Sequence, residues 1–224
     1  PDAKELLNAR FENAGQLNLS GAAVGLRFSG FQQSITVTND VGGVWTWTDG
    51  TALEQRNPGG WPPVLLQMVN LGTVRSVGPQ TTNRLADVPL HNAGLVEVVS
   101  GRWWQRGGGR SGGRWTATEP AVIEWADGRY DLENAGLEGA GRAVMNGTIN
   151  LQGTVTAAWL EMQSGTLAGN ATVADGFRWT GGQMVGMTLQ LGPGKHAIMG
   201  DNGQRLLAST VINDGQLRLQ DAGV

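Results

Sequence analysis

Cysteine is absent from this chain of 224 residues, so neither disulfides nor thiolate metal sites hold the fold together. Histidine occurs twice and tyrosine once, while Lys and Arg number 16 against 19 Asp and Glu, a net charge of −3. That balance excludes a global electrostatic drive toward nucleic acid or an anionic membrane, and no specific nucleic-acid partner is expected. No apolar run approaches the ~18 residues of a membrane-crossing helix, so no membrane insertion is expected of this segment. There is no signal-peptide pattern, and the chain opens on Pro1, which reads as a mature segment or a piece of something longer. Glycine, by contrast, is plentiful: 36 residues, roughly double the ~7% of ordinary proteins. It does not recur at every third position, which excludes collagen. Val, Leu, Ile and Trp alternate with polar residues, the pattern of a folded chain with many tight corners.

The glycines belong to a repeated phrase of apolar, any, Asn, small, Gly, any, apolar. It runs Phe11-Glu12-Asn13-Ala14-Gly15-Gln16-Leu17, then Met68-Val69-Asn70-Leu71-Gly72-Thr73-Val74 and Leu90-His91-Asn92-Ala93-Gly94-Leu95-Val96. It returns as Leu132-Glu133-Asn134-Ala135-Gly136-Leu137 and Val211-Ile212-Asn213-Asp214-Gly215-Gln216-Leu217. The asparagines are separated by 57, 22, 42 and 79 residues, near-multiples of about 20, with degenerate copies such as Val37-Thr38-Asn39-Asp40 filling the gaps. A period in that range marks a solenoid, here an all-β coil of about 20 residues per turn. Some eleven turns would stack into a rod roughly 50 Å long at ~4.8 Å per strand.

In this reading Asn13, Asn70, Asn92, Asn134 and Asn213 occupy equivalent corners, and Asn amides on stacked coils could form a ladder. Gly15, Gly72, Gly94, Gly136 and Gly215 supply a positive φ at low steric cost. The alternating residues that follow, as in Gln16-Leu17-Asn18-Leu19, point one side chain in two toward a core. Residues 1–10 either cap the coil as a short helix with Asp2 at its N-cap or enter as a preceding turn. Residues 11–224 form the solenoid, with loop excursions near 54–63, 78–89 and 106–114.

A second pattern is Phe177-Arg178-Trp179-Thr180-Gly181-Gly182-Gln183-Met184-Val185-Gly186, with a looser relative in Val44-Trp45-Thr46-Trp47-Thr48-Asp49-Gly50. Alternating with the Asn-Gly phrases, it resembles the β-helical repeats of large bacterial surface and secreted proteins of the filamentous haemagglutinin or autotransporter-passenger type. The resemblance covers the chain from about Phe11 onward. It implies a single-stranded right-handed parallel β-helix, an extracellular or cell-surface location, and a role in attachment, matrix or display. It brings no catalytic residues and no cofactor.

Each chemistry-bearing cluster in the sequence also has a plain structural reading. Glu119, Glu124, Asp127 and Asp131 form the densest acidic stretch, beside Trp125 and Tyr130; glycosidic cleavage needs two carboxylates across the scissile bond, but the alternation there reads as strand and turn. His91 stands in the variable slot of the phrase, and His196 in a turn. No zinc, calcium-repeat or Ser-His-Asp spacing is present, so no metal site is expected. The most unusual segment is Arg102 to Trp115, with Arg102, Trp103, Trp104, Arg106, Arg110, Arg114 and Trp115 as candidate ligand-binding residues. Arginine and tryptophan together stack on rings and pair with sulfate, carboxylate or phosphate. The competing account puts Trp103 or Trp104 and Trp115 inside the coil and leaves the arginines solvated.

The leading expectation is thus a non-enzymatic structural or adhesive solenoid whose partner is an acidic glycan or a host or matrix surface. A glycan-binding or glycan-cleaving β-helix is the alternative. A third is a fibre-forming module that self-associates end to end, because strand edges at an uncapped coil invite pairing.

Overall fold

The computed structural model describes residues 4–7, 10–21, 23–27, 34–56, 65–153, 155–193, 196–200 and 205–220. Among them every regular element is a strand. Over most of the chain each strand pairs in parallel with the strand three places further on, as Arg10–Asn13 does with Ser34–Asn39 and Gln16–Ser20 with Val44–Thr48. Three strands and three corners make one coil, and the whole is a parallel β-solenoid of ~20 residues per turn. On the first face one file of register partners runs Val24, Leu53, Leu85, Gln105, Trp125, Met145, Met162, Trp179, Met199, Leu219. Most steps are 17 or 20 residues. The longer steps of 29 and 32, from Val24 to Leu53 and on to Leu85, hold segments 28–33 and 57–64, which fall outside the described residues. The part of the expected 54–63 excursion at 57–63 therefore lies outside them as well.

Alternation builds the core. In Val44–Thr48, Trp45 and Trp47 are buried while Val44, Thr46 and Thr48 face outward. Phe177 and Trp179 are buried in the same way. Interior rings meet along and between strands: Phe11 lies 5.9 Å from Trp45, Trp45 5.4 Å from Trp47 on the same strand, and Trp47 4.9 Å from Trp103. Tilted and edge-on contacts at these spacings add to the ~1.5–3 kcal/mol that burial of each large apolar side chain contributes.

The corner between the second and third faces carries the repeated phrase. Asn13, Asn39, Asn70 and Asn92 are register partners, and each is buried. The Asn13 amide donates to Asn39 Oδ1 at 2.8 Å, Asn39 to Asn70 at 2.9 Å, and Asn70 to Asn92 at 2.8 Å. Asn92 donates to Ser111 Oγ at 3.2 Å, and the indole N–H of Trp115 donates to the same hydroxyl at 2.9 Å. The ladder thus continues into a serine and a tryptophan that the repeat does not announce.

Four expectations need correction. First, Gly15, Gly72, Gly94, Gly136 and Gly215 do not adopt positive φ. Glycine is required at Gly72 and Gly94 by closeness: a Cβ on Gly94 would lie 2.1 Å from the Gly72 carbonyl oxygen, and one on Gly72 2.3 Å from that of Gly43. Second, Asn134 and Asn213 do not join the ladder. Leu132 takes the place that follows Ser111, and Asn134, two residues later, is exposed with φ 51°. Asn213 ends a strand of the third face, opposite Leu191. Its Oδ1 accepts from Gly215 N at 3.2 Å, as Asn13 Oδ1 does from Gly15 N at 3.3 Å. The phrase encodes that local turn, not its place around the coil.

Third, Lys4–Leu7 is a strand paired with Ala23–Arg27, so the chain enters as a preceding turn and not as a helical cap there. Fourth, 78–89 and 106–114 are not loops leaving the rod. The first contains Thr82–Ala86, paired on both sides, and the second Gly109–Ser111, likewise paired on both sides. The glycine run of the second reflects compression between coils. A Cβ on Gly108 would meet the Arg129 carbonyl oxygen at 2.4 Å, and one on Gly109 that of Leu90 at 2.0 Å.

Candidate functional site

The Arg102–Trp115 segment winds around all three faces, and its candidate residues part company. Trp103 and Trp115 are buried, so neither presents a ring to a ligand. Trp104 faces outward, with the Arg106 guanidinium 5.4 Å from its ring centre. Three of the four arginines are engaged in ion pairs. Arg102 meets Glu124 at 2.6 Å, Arg106 meets Asp87 at 2.5 Å, and Arg114 meets Glu138 at 2.6 Å. Arg110 is exposed and makes no ion pair among the described residues.

The acidic stretch is also dispersed. Glu124 is buried, with one carboxylate oxygen accepting from Arg102 and the other from Asn146 at 3.0 Å. Glu161, which sequence reasoning did not single out, repeats the arrangement: it accepts from Arg142 and, at 2.8 Å, from Gln163. Asp127 closes a corner by accepting from the Gly128 amide at 2.7 Å. Trp125 and Tyr130 are buried. The Tyr130 hydroxyl lies 2.8 Å from the Gln105 carbonyl and 2.6 Å from that of Asp127, and burial raises its pKa well above the ordinary phenolic value. These rings cannot stack on a sugar. His196 begins a strand, His196–Gly200, where a turn is expected from its sequence. Among the described residues no three His, Asp or Glu side chains cluster as metal ligands.

What the structure does bring together is an outer file on the second face: His91, Arg110, Asp131 and Asn150 are successive register partners. Each follows from alternation, since its neighbours Asn92, Ser111, Leu132 and Leu151 point inward. Asp131 accepts at Oδ1 from Arg129 at 3.3 Å and from Asn150 at 3.1 Å, and makes no ion pair with Arg110. His91 Nδ1 is buried and has no hydrogen-bond partner in the protein. Burial and, secondarily, the Arg110 charge lower its pKa from 6.5, so the imidazole is neutral at neutral pH. His91, Arg110 and Asp131 of this file line a hollow of about 650 Å³, whose rim includes Arg129, Glu133 and Gln152. Gly107, Gly109 and Gly112 carry no side chains to fill it. The sequence signal lay in plain view, in His91 and Arg110, but only coil register joins residues 19 apart.

No family model matches the chain, and no curated protein or solved structure does so either.

Proposed function

We propose that this chain is a non-enzymatic solenoid rod, a structural and adhesive segment used for attachment or display. The observation that supports this reading is the direction of most of its ion pairs, five of the seven among the described residues, which run along the coil axis. Arg75–Glu97, Arg102–Glu124, Arg106–Asp87, Arg114–Glu138 and Arg142–Glu161 each tie one coil to the next, and the Asn ladder does the same inside. Single exposed pairs contribute little, ~0–1 kcal/mol, but a series along one axis keeps neighbouring coils in register. The two most buried outward carboxylates, Glu124 and Glu161, are both held by arginine, which suits support better than acid–base exchange with a substrate. The resemblance of the Asn-Gly and Phe177–Gly186 phrases to bacterial surface repeats adds a surface or secreted setting to the proposal.

The test is a polysaccharide panel read two ways, by retention on glycan-coated surfaces and by new reducing ends. Retention without new ends is the expected result. New reducing ends would overturn the non-enzymatic reading, and no retention on any surface would remove attachment from it.

A further inference from the structure

We propose that the hollow on the second face is a binding site for a carboxylated sugar, a uronate residue of an acidic oligosaccharide, held through Arg110. This deepens the attachment reading and rests on it. Of the four arginines between residues 102 and 115, only Arg110 makes no ion pair among the described residues, although Asp131 is its register partner. Asp131 accepts instead from Arg129 and Asn150. Arg110 lines the hollow with no partner for its donor fork among the described residues, and such a fork takes a carboxylate through two parallel bonds.

A second observation is independent of charge. Seven buried side-chain N or O atoms among the described residues have no hydrogen-bond partner, and six belong to interior side chains: Trp45, Trp47, Asn83, Trp103, Gln105 and Trp125. The seventh is His91 Nδ1, on the outer file beside Arg110. A buried polar atom without a partner costs about 1–3 kcal/mol, and a turn of the His91 ring toward the hollow it lines would bring that nitrogen within reach of a ligand hydroxyl.

The hollow's volume lies in the range of small-ligand sites, ~300–1,000 Å³, yet its wall is polar. Asp131, Glu133 and Gln152 offer acceptors and donors to hydroxyls, and Pro89 with the glycines supplies the only apolar lining. The two carboxylates, Asp131 and Glu133, balance the two guanidiniums, Arg110 and Arg129, and that balance disfavours a densely charged chain such as a polysulfated glycan. It suits one negative charge surrounded by hydroxyls.

Calorimetric titration with oligogalacturonate tests the site, with heparin oligosaccharide and a neutral maltohexaose as comparison probes. Arg110→Ala is set against Arg84→Ala, which removes an exposed arginine from the first face. The parent and Arg84→Ala should bind oligogalacturonate alike, within about twofold, and Arg110→Ala should bind about tenfold or more weakly, the ~1.4 kcal/mol expected of a charge-assisted contact. Oligogalacturonate should also move the His91 ring signals in NMR spectra of the parent. Three results would overturn the proposal: no binding of oligogalacturonate, equal losses in the two variants, or heparin binding more tightly than oligogalacturonate. Retention of neutral glycans alone on coated surfaces would sink this site and leave the adhesive rod standing, whereas new reducing ends would remove the non-enzymatic reading and leave the site.

Discussion

Asn92 and His91 are neighbours on one three-residue strand, as Ser111 and Arg110 are on the next, yet the two files differ in kind. The inner one, Asn39 to Ser111, is closed: each amide donates to the residue one coil on. The outer one is open, with an unpartnered imidazole nitrogen and an arginine without a counter-ion. The difference teaches where each obligation sits. A buried amide must be bonded, so the inner file is fixed by folding. Arg110, exposed on the outer file, is free of that demand, and its donors can answer to a ligand.

The largest effect expected belongs to the glycines that let the inner file close. Gly94→Ala places a methyl group 2.1 Å from a backbone carbonyl oxygen that cannot swing away, so the coils must part. We expect a loss of about 3 kcal/mol, the upper part of the ordinary range for overpacking. Gly15→Ala is the control from the same phrase, because a Cβ there meets nothing within 4 Å. Its effect on urea unfolding should stay within about 0.5 kcal/mol. Equal effects at the two positions would mean that the phrase acts through its local turn and not through stacking.

Next comes the ladder. Asn70→Ala removes the acceptor of Asn39 and the donor to Asn92 and the Leu95 carbonyl, stranding polar groups on both sides, for about 2–3 kcal/mol. Asn134→Gly, at the same place in the phrase but exposed at positive φ, should change stability by no more than about 0.5 kcal/mol. If Asn134→Gly cost as much as Asn70→Ala, the closed file would have to extend beyond Ser111. The third step crosses to the outer file. Arg110→Ala should leave unfolding unchanged within about 0.5 kcal/mol while it abolishes most of the proposed binding. A large stability loss there would make Arg110 a folding residue and erase the contrast.

The coil, its period of ~20 residues per turn and three of the five phrase asparagines were legible because stacking demands the same residue at the same place each turn. The rest was hidden by two kinds of degeneracy. One is chemical: Ser111 continues the ladder, and Leu132 and Leu151 then seal the same file by packing, so a phase read from Asn134 slips by two residues. The other is local: the Asn-x-Gly turn of Asn213 serves a different corner equally well. The Gly107–Gly109 run looked like a loop because glycine is common to flexible segments and to crushed ones. The hollow was invisible for a further reason, since its residues are separated by the whole circumference of a coil.

The smallest effect is also the most direct probe of the outer file. His91 titrates below 6.5 in the folded protein, mainly through burial and partly through the Arg110 charge. Other charged groups lining the hollow are Arg129, Asp131 and Glu133, and Val69, its register partner on the other side, carries none. Because the folded pKa is depressed, the unfolded chain binds its proton first as pH falls. The stability tied to this group is therefore complete above pH 6.5 and is lost between 6.5 and the lower folded value. In Arg110→Ala the ring titration followed by NMR should move upward but stop short of 6.5, since burial, the larger cause, persists. A midpoint that does not move would show that Arg110 does not face His91, and the open file would then be two unrelated side chains and no site.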